Sequence, residues 1–213
     1  MSTYRMLLAV FVLGLSCGLV FPPADCRAAG GLVRVAVDPN CAPYQFIQDG
    51  QSAGVHVDIL DAIAEDCGMS LVYIPMNNIT ECMMALQGGA VDIVVGAIRD
   101  SDVARYHGIS TEAIEQSSLC MVTHKPDAEH VVSHDGRVII TYQSGVVDTS
   151  FMRTMLHWQM IPTPNQSACF QNLIEGRAQF FVGIKGSIVY QLKQSGLEDE
   201  YEIVSNYMLP IEF

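Results

Sequence analysis

The apolar residues of the chain recur with two alternating periods, one typical of buried strands and one typical of amphipathic helices. Short apolar runs predict three strands in the first half: Leu32 to Val37, Ser70 to Ile74 and Val91 to Val95. Apolar positions at helical spacing predict one helix from Val57 to Cys67, stopped by Gly68, and another from Ile79 to Gln87. Alternation of strand and helix predicts an α/β fold with mostly parallel sheets.

One unit of the first half recurs in the second half. Glu81 to Gly96 superposes without a gap on Ala168 to Gly183, and Cys82 then stands opposite Cys169. Each copy is typical of an amphipathic helix, a glycine stop and a buried strand. We therefore expect two similar lobes, with chance agreement of two common helix-turn-strand units as the alternative. Two copies are fewer than the three or more that a repeat stack needs.

The crossing between the lobes is expected near Leu119 to Thr123, and Val138 to Tyr142 opens the second lobe. That strand runs into Gln143-Ser144-Gly145, typical of a strand-to-helix turn that offers backbone N–H groups to a ligand. Because ligands of open α/β sheets bind beyond the carboxyl ends of the strands, four loops should face one another across a cleft. These loops are Asp38 to Tyr44, Gly96 to Ser101, Gln143 to Val146 and Gly183 to Lys185.

The first thirty residues have the order of a secretory signal peptide. Arg5 precedes the apolar stretch Met6 to Phe21, and a small-residue segment follows, so cleavage is predicted after Ala28. An uncleaved anchor is the rival, although the stretch is shorter than the ~20 residues that a bilayer requires. A lipoprotein is the weaker rival, because the segment before Cys17 lacks the expected large aliphatic residue.

Charge and cysteine content narrow the function classes. Eleven Lys plus Arg against 23 Asp plus Glu give a net charge of −12, so nucleic acid is not expected as a partner. Five of the seven cysteines follow the leader, and an odd number leaves at least one free thiol. No CxxC pair occurs, and His130 and His134 fall in a polar loop, so no metal site or cofactor is predicted.

Four segments together resemble the family 3 periplasmic solute-binding proteins. They are Val33 to Phe46, Gly54 to Gly68, Ala85 to Ile98 and Gly176 to Gly183. The resemblance implies a two-lobed periplasmic-binding-protein-like fold, each lobe a mostly parallel sheet flanked by helices. It implies a signal peptide at 1–28, a first lobe at 30–122 with 208–213 starting the return, and a second lobe at 123–207.

The family's ligand residues transfer only in part. The arginine that clamps a ligand carboxylate falls at Asp102 or Val103, and the acidic partner of a ligand amine falls at Ile184 and Lys185. Two flanking aromatic positions fall on Cys41 and Ile79. Arg99 could bind a ligand carboxylate from a different position in the chain. The alternative is that Arg99 is a solvated surface residue. The predicted ligand-binding residues are Asp38, Tyr44, Gly96, Ala97, Arg99, Ser144, Gly145 and Lys185, and none is predicted to be catalytic.

By resemblance, the chain is expected to be an exported, periplasmic protein that captures a small polar solute, an amino acid or related carboxylate, for an ABC-type transporter. A membrane permease is then the protein partner. The alternatives are a sensor domain of the same fold and a periplasmic dehydratase-like enzyme. The family normally returns from the second lobe to complete the first sheet, whereas only Ser205 to Phe213 follow the last predicted strand, Tyr201 to Val204. We therefore expect a C-terminally shortened chain whose first lobe exposes apolar surface.

Overall fold

Strands and helices alternate along the chain in the order that the apolar pattern predicts. The computed structural model describes residues 31–99, 112–125, 138–147 and 158–213, with the backbone alone for residues 205–208. The strands are β1 (Leu32–Val37), β2 (Phe46–Gln48), β3 (Gln51–Ala53), β4 (Ser70–Pro75), β5 (Ile93–Val94), β6 (Gln116–His124), β7 (Val138–Gln143), β8 (Trp158–Thr163), β9 (Phe180–Ile184) and β10 (Tyr201–Glu212). The helices are α1 (Val55–Cys67), α2 (Ile79–Gln87), α3 (Gln166–Ile174) and α4 (Lys185–Ser195).

The first lobe is built on a parallel sheet of three strands in the order β4-β1-β5. The central strand β1 ends in Val35, Ala36 and Val37, which are almost fully buried because a parallel strand is covered on both faces. The predicted strand Val91 to Val95 is shorter than expected, since β5 pairs over two residues. The backbone N–H groups on either side of β5 still donate to β1.

Helix α1 begins two residues before the predicted start and ends where the sequence places its stop. Gly68 adopts a left-handed φ of 65°, and its N–H donates to the carbonyl of Glu65. Glycine reaches this conformation without the steric penalty of a Cβ, so it closes the helix at little cost.

The predicted internal repeat is confirmed in the structure. Helices α2 and α3 each follow an asparagine, Asn78 or Asn165, whose side-chain oxygen accepts the backbone N–H three residues later at 2.9 Å. Each helix is followed by a left-handed glycine, Gly89 with φ 71° and Gly176 with φ 72°. The following strands β5 and β9 each pair in parallel with a central strand of their sheet, β1 or β7.

The second lobe contains a mixed sheet of five strands in the order β10-β6-β9-β7-β8. Its last strand corrects the sequence analysis, which ended that strand at Val204. Strand β10 continues to Glu212 and pairs with β6 over Tyr201–Val204 and again over Met208–Glu212, with a register shift between the two stretches. A bulge lets the ladder continue past an irregular segment, and Pro210 is tolerated because β10 is an edge strand.

Strands β6 and β10 also connect the second lobe to the first. Arg99 donates its backbone N–H to the carbonyl of Glu212 at 2.9 Å, and Ile114 donates to the carbonyl of Phe213 at 2.8 Å. The predicted lobe boundary at 122/123 falls inside β6, and the boundary at 207/208 falls inside β10.

Apolar packing joins the lobes as well as filling each of them. One buried cluster lies in the first lobe and one in the second, and the largest contains residues of both, including Ala36, Tyr44, Ile140 and Ile184. Most of the large exposed apolar side chains among the described residues lie in the first lobe, namely Leu32, Ile47, Val55, Ile63, Val72 and Met84, and Ile174 lies in the second.

The described cysteines are all free thiols. Cys82, Cys120 and Cys169 are fully buried, where a cysteine packs as a small apolar side chain, whereas Cys67 is half-buried. Within the described residues, no helix is both long enough and apolar enough to span a membrane.

Candidate solute-binding cleft

A cavity lies between the lobes at the carboxyl ends of β1, β5, β7 and β9. This is the edge at which ligands of α/β sheets bind. Each of the four loops predicted from the sequence contributes to its wall. The lining residues are Asp38, Cys41, Gln45, Ile79, Gly96, Ile98, Gln143, Gly145, Val146 and Ile184.

The cavity is narrow because the two lobes touch across it. Its volume is about 20 Å³, and a cavity needs roughly 10–15 Å³ to hold one water molecule. The space that these residues enclose therefore fits about one water, far less than an amino acid occupies.

Asp38 is the charged residue of this wall and is only 3% exposed. Its Oδ1 accepts the backbone N–H of Asn40 at 3.0 Å and the Asn40 side-chain amide at 3.2 Å. Burial raises the pKa of Asp38, and the hydrogen bonds from Asn40 and Gln143 partly oppose that rise. These donors are neutral, so they stabilise the carboxylate without neutralising its charge.

Gln143, at the end of β7, reaches Asp38 from the opposite lobe. Its Nε2 donates to Oδ2 of Asp38 at 3.2 Å, and both residues are almost fully buried. The sequence placed Gln143 in a turn at the cleft without assigning it a contact. The bond depends on how the lobes meet, which no local pattern records.

Gln45 holds the end of β1 in place and was missed from the sequence. Its Oε1 accepts the backbone N–H of Asp38 at 2.9 Å, while its Nε2 donates to the carbonyl of Val95 at 3.0 Å. One buried amide thus fixes the loops after β1 and β5 relative to each other. The signal available in the sequence was a glutamine between Tyr44 and Phe46, directly after a proline-containing loop.

Gly96 follows β5, and its backbone approaches this amide closely. Its φ is +72°, and a Cβ there would lie 2.3 Å from both Nε2 of Gln45 and Nδ1 of His56. Contacts below 3.0 Å force one of the groups to move. Only glycine fits this wall of the cavity with the surrounding side chains unmoved.

The buried His56 lies behind that wall, next to the partly exposed Glu115. Nε2 of His56 lies 3.5 Å from Oε2 of Glu115. Burial lowers the pKa of His56 to about 4 and raises the pKa of Glu115. The histidine is therefore neutral at neutral pH.

Tyr44 packs in the core beside the cleft, outside the set of residues that line the cavity. Its hydroxyl is 3.1 Å from Oγ of Ser117, and its ring lies 5.0 Å from the His56 ring and 5.3 Å from the Phe213 ring. A Cβ at Gly186 would lie 2.1 Å from the tyrosine hydroxyl oxygen, so Tyr44 also touches the start of α4.

Arg99 forms an ion pair with Glu212 where the chain crosses between the lobes. Its Nε lies 3.2 Å from Oε2 of Glu212, the last residue of β10, and its side chain is 28% exposed. Arg99 is not among the residues that line the cavity. In this conformation its guanidinium is paired with a carboxylate of the protein.

The other predicted site residues occupy different positions. Gly145 lines the cavity with a φ of +82°, and Ala97 stands between two lining residues. Ser144 is exposed, and its N–H donates to the carbonyl of Thr163 at 2.9 Å. Lys185 is exposed at the first position of α4.

The remaining wall is mostly apolar. Burial raises the pKa of the Cys41 thiol far above its ordinary value, so the thiol stays protonated. The Gln166 amide, from the second lobe, donates to the Cys41 sulfur at 3.7 Å. Ile79, Ile98, Val146 and Ile184 supply the aliphatic surface.

Some residues named in the sequence analysis lie outside the described residues. They are Asp102 and Val103, where the arginine clamp of the family was expected, and the histidines His130 and His134.

A comparison of sequence families identifies this arrangement. Residues 33–150 match the bacterial extracellular solute-binding proteins, family 3. The chain belongs to this family. The family 3 assignment covers more than half of the chain, including three of the four loops that bound the cavity.

Relatives and solved structures agree with the family 3 assignment. A probable histidine-binding protein of Campylobacter jejuni is 29% identical over 73 residues, which are 34% of this chain and 28% of that protein. The chain thus matches less than a third of that relative's length. An arginine-bound Gly52Ala mutant of the arginine-binding protein from T. maritima has a TM-score of 0.70 at 14% identity, covering 86% of this chain and 85% of that chain. An ancestral amino acid-binding protein, a precursor of cyclohexadienyl dehydratase, has a TM-score of 0.71 at 20% identity, covering 86% and 80%. These likenesses establish the two-lobed fold.

Proposed function

We propose that this protein is a non-enzymatic receptor that captures a small polar solute, an amino acid or a related compound, and delivers it to the permease of an ABC-type transporter. The observation that carries the proposal is the cavity between the lobes, to which both lobes contribute and in which Asp38 and Gln143 meet. The family supports the same class of activity.

The geometry suggests how capture would work. The Asp38–Gln143 hydrogen bond closes the cleft on itself, so a ligand must separate the lobes and replace that contact. A ligand shifts such an equilibrium only by its differential affinity for the two states. A solute that binds residues of both lobes at once would favour a closed liganded form, and that form would be presented to the permease.

Among the residues predicted from the sequence, Asp38, Gly96 and Gly145 already line the cavity and are proposed as direct contacts. The others lie outside the residues that line the cavity and stay predictions, and Arg99 would have to leave Glu212 before it could contact a ligand. This second group is Tyr44, Ala97, Arg99, Ser144 and Lys185.

We also propose that the mature protein is periplasmic and that residues 1–28 are a cleaved leader. The family is extracellular, and the order of charge, apolar core and small residues supports export. N-terminal sequencing of the exported protein would check the cleavage site after Ala28.

A thermal-shift screen tests solute capture. Purified protein is heated with amino acids, small carboxylates, polyamines and sugars, and a hit should stabilise it by about 2.7 kcal/mol at a free concentration of 100 times the dissociation constant. Small-angle scattering with the hit should show a change in the separation of the lobes. If no solute in the panel changes the melting temperature, the proposal fails.

Delivery needs its own test. The hit should be taken up by cells that carry the gene and its neighbouring permease, and uptake should stop when this gene is deleted. Uptake that is unaffected by the deletion would leave solute binding intact and remove the transport role.

A further inference from the structure

We propose that the cleft recognises a protonated amine through Asp38 and that the ligand needs no carboxylate. This inference rests on the proposed function, because it names the chemical class of solute that the same cavity takes. It goes beyond that function because it assigns recognition to the ammonium group of the solute and none to a carboxylate, although amino acids carry both groups.

The first argument is the charge state of the wall. Among the described residues that line the cavity, Asp38 supplies the one carboxyl group, since the others are amide, thiol, aliphatic or glycine. Asp38 is only 3% exposed, and among the described residues its hydrogen-bond donors are the neutral groups of Asn40 and Gln143, so none of those residues supplies a counter-charge to its ionised form. Buried charges are normally paired, and an ammonium group of a ligand would supply the missing partner.

The second argument is the position of Gln143. From the opposite lobe, the Nε2 amide of Gln143 donates a hydrogen bond to Oδ2 of Asp38 at 3.2 Å. A primary ammonium has three donors, whereas the glutamine amide has two donors and an oxygen acceptor. If the amide turns over, an ammonium placed between the two side chains can donate to Oδ2 of Asp38 and to Oε1 of Gln143. The same two residues would thus clamp an amine from both lobes.

The third argument concerns the ligand carboxylate. No lysine or arginine lies among the described residues that line the cavity, and Arg99 is paired with Glu212 at 3.2 Å. A carboxylate entering the cavity would meet the like charge of Asp38 without a cation in the wall to offset it. The net charge of −12 adds a long-range field that favours cations over anions.

The fourth argument is the remaining surface. Ile79, Ile98, Val146 and Ile184 surround the polar pair with aliphatic groups from both lobes. Such a wall suits an alkyl or aryl body attached to the amine, because apolar surface removed from water is stabilising. The chemical class is therefore an amine with one positive end and a largely apolar remainder.

Two matched series of probes separate the charged groups. The first contains norvaline, butylamine, which lacks its carboxylate, and pentanoate, which lacks its amine. The second contains histidine, histamine and imidazolepropionate in the same relation. Each probe is titrated into the unliganded protein at pH 7 and followed by calorimetry and thermal shift.

We expect the amine of at least one series to bind, with an affinity within tenfold of the parent amino acid, and both carboxylates to fail. Binding of an amino acid whose amine counterpart fails would overturn the inference and preserve the proposed function. Binding of either carboxylate would overturn the inference in the same way. If all six probes fail, this inference is overturned, while the broader solute screen still decides the proposed function.

The variant Asp38→Asn tests the residue itself. It keeps the shape and the acceptor for Asn40 but removes the charge, so amine affinity should fall at least ~30-fold, the low end for unpairing a buried charge. The matched control is Asp66→Asn, an exposed carboxylate near the end of α1, which should bind the amine as the wild type does. Equal amine affinity in Asp38→Asn and wild type, with both proteins folded by thermal melting, would exclude Asp38 as the recognition group.

Discussion

The side-chain amide of Gln143 donates a 3.2 Å hydrogen bond to Oδ2 of Asp38, across 105 positions of sequence and from one lobe to the other. Asp38 directly follows β1 and Gln143 is the last residue of β7, and each of these strands pairs in parallel with the strand of the repeated unit in its lobe, β5 or β9. The duplicated architecture thus places two equivalent strand ends face to face. This contact holds the cleft narrow, and a solute must replace it.

We predict that Gln143→Leu loosens the closed form. Leucine has a similar size but cannot donate to Asp38, and removing one partner of a buried bond costs roughly 1–3 kcal/mol. Urea unfolding should show that loss, and small-angle scattering should show a larger radius of gyration. Gln191→Leu is the control, because the Gln191 amide bonds within α4. Equal losses of unfolding free energy in the two variants would contradict the prediction that the Gln143–Asp38 hydrogen bond holds the lobes together.

We predict that Asp38→Asn raises the melting temperature of the unliganded protein at pH 7. Burial raises the pKa of Asp38, so the folded state is penalised when this carboxylate is ionised. The penalty is present above the folded-state pKa and absent below the ordinary aspartate value of ~3.9. The advantage of the variant should therefore disappear as the pH falls toward 4. Thermal melts between pH 4 and pH 8 give the comparison, and a lower melting temperature for Asp38→Asn at pH 7 would contradict the sign.

We predict that Gly96→Ala is far more destabilising than Gly50→Ala. Both glycines have positive φ, +72° and +79°, so each substitution carries backbone strain of roughly 1–3 kcal/mol. A Cβ at Gly96 also meets Gln45 and His56 at 2.3 Å, whereas a Cβ at Gly50 has nothing within 4 Å. The difference between the two free energies of unfolding isolates the steric effect. Similar losses would show that backbone strain alone accounts for Gly96.

We predict that the protein loses stability as the pH falls from about 6.5 toward 4. His56, enclosed by Tyr44, Gln45, Glu115 and Phe213, has its pKa lowered to about 4, so the unfolded chain takes up a proton first. The loss from His56 is on the order of 3 kcal/mol, reduced by Glu115 and Asp38, whose raised pKa values act in the opposite direction.

The slope of stability against pH separates this effect from a packing defect. His56→Gln should flatten the slope in urea unfolding between pH 7 and pH 5, even if the variant is less stable overall. His124→Gln, in β6, leaves His56 in place and should keep the slope. A wild-type slope that survives in His56→Gln would assign it to another group.

We predict a small coupling between Arg99 and Glu212. Their side chains are 28% and 45% exposed, and ion pairs that solvent reaches contribute ~0.2–1 kcal/mol. A double-mutant cycle with Arg99→Ala and Glu212→Ala measures the coupling by unfolding in low and high salt. A coupling above ~2 kcal/mol that does not depend on salt would mean that the pair is a structural link between the lobes.

Much of the fold could be predicted from the sequence because its determinants are local. The bounds of α2 agree with the helical spacing of apolar residues, and Gly68 stops α1 where a left-handed residue is needed. The repeat predicted from two short segments is present in the structure. Its two helices are even capped in the same way, by the side chains of Asn78 and Asn165. The strand ending at Val204 was wrong because continuation of β10 depends on the partner strand β6. No local pattern of residues contains that partner.

For the cleft, the sequence by itself determined which loops meet, because parallel strands bring their carboxyl ends to one edge whatever the side chains are. It also identified Asp38, Gly96 and Gly145, which stand directly at those strand ends. Only the tertiary structure decided which side chains pair: Asp38 with Gln143 and Arg99 with Glu212. Those partners are distant in sequence, and each pairing is fixed by lobe packing and by the free energy of burying charge, which depend on three-dimensional neighbours.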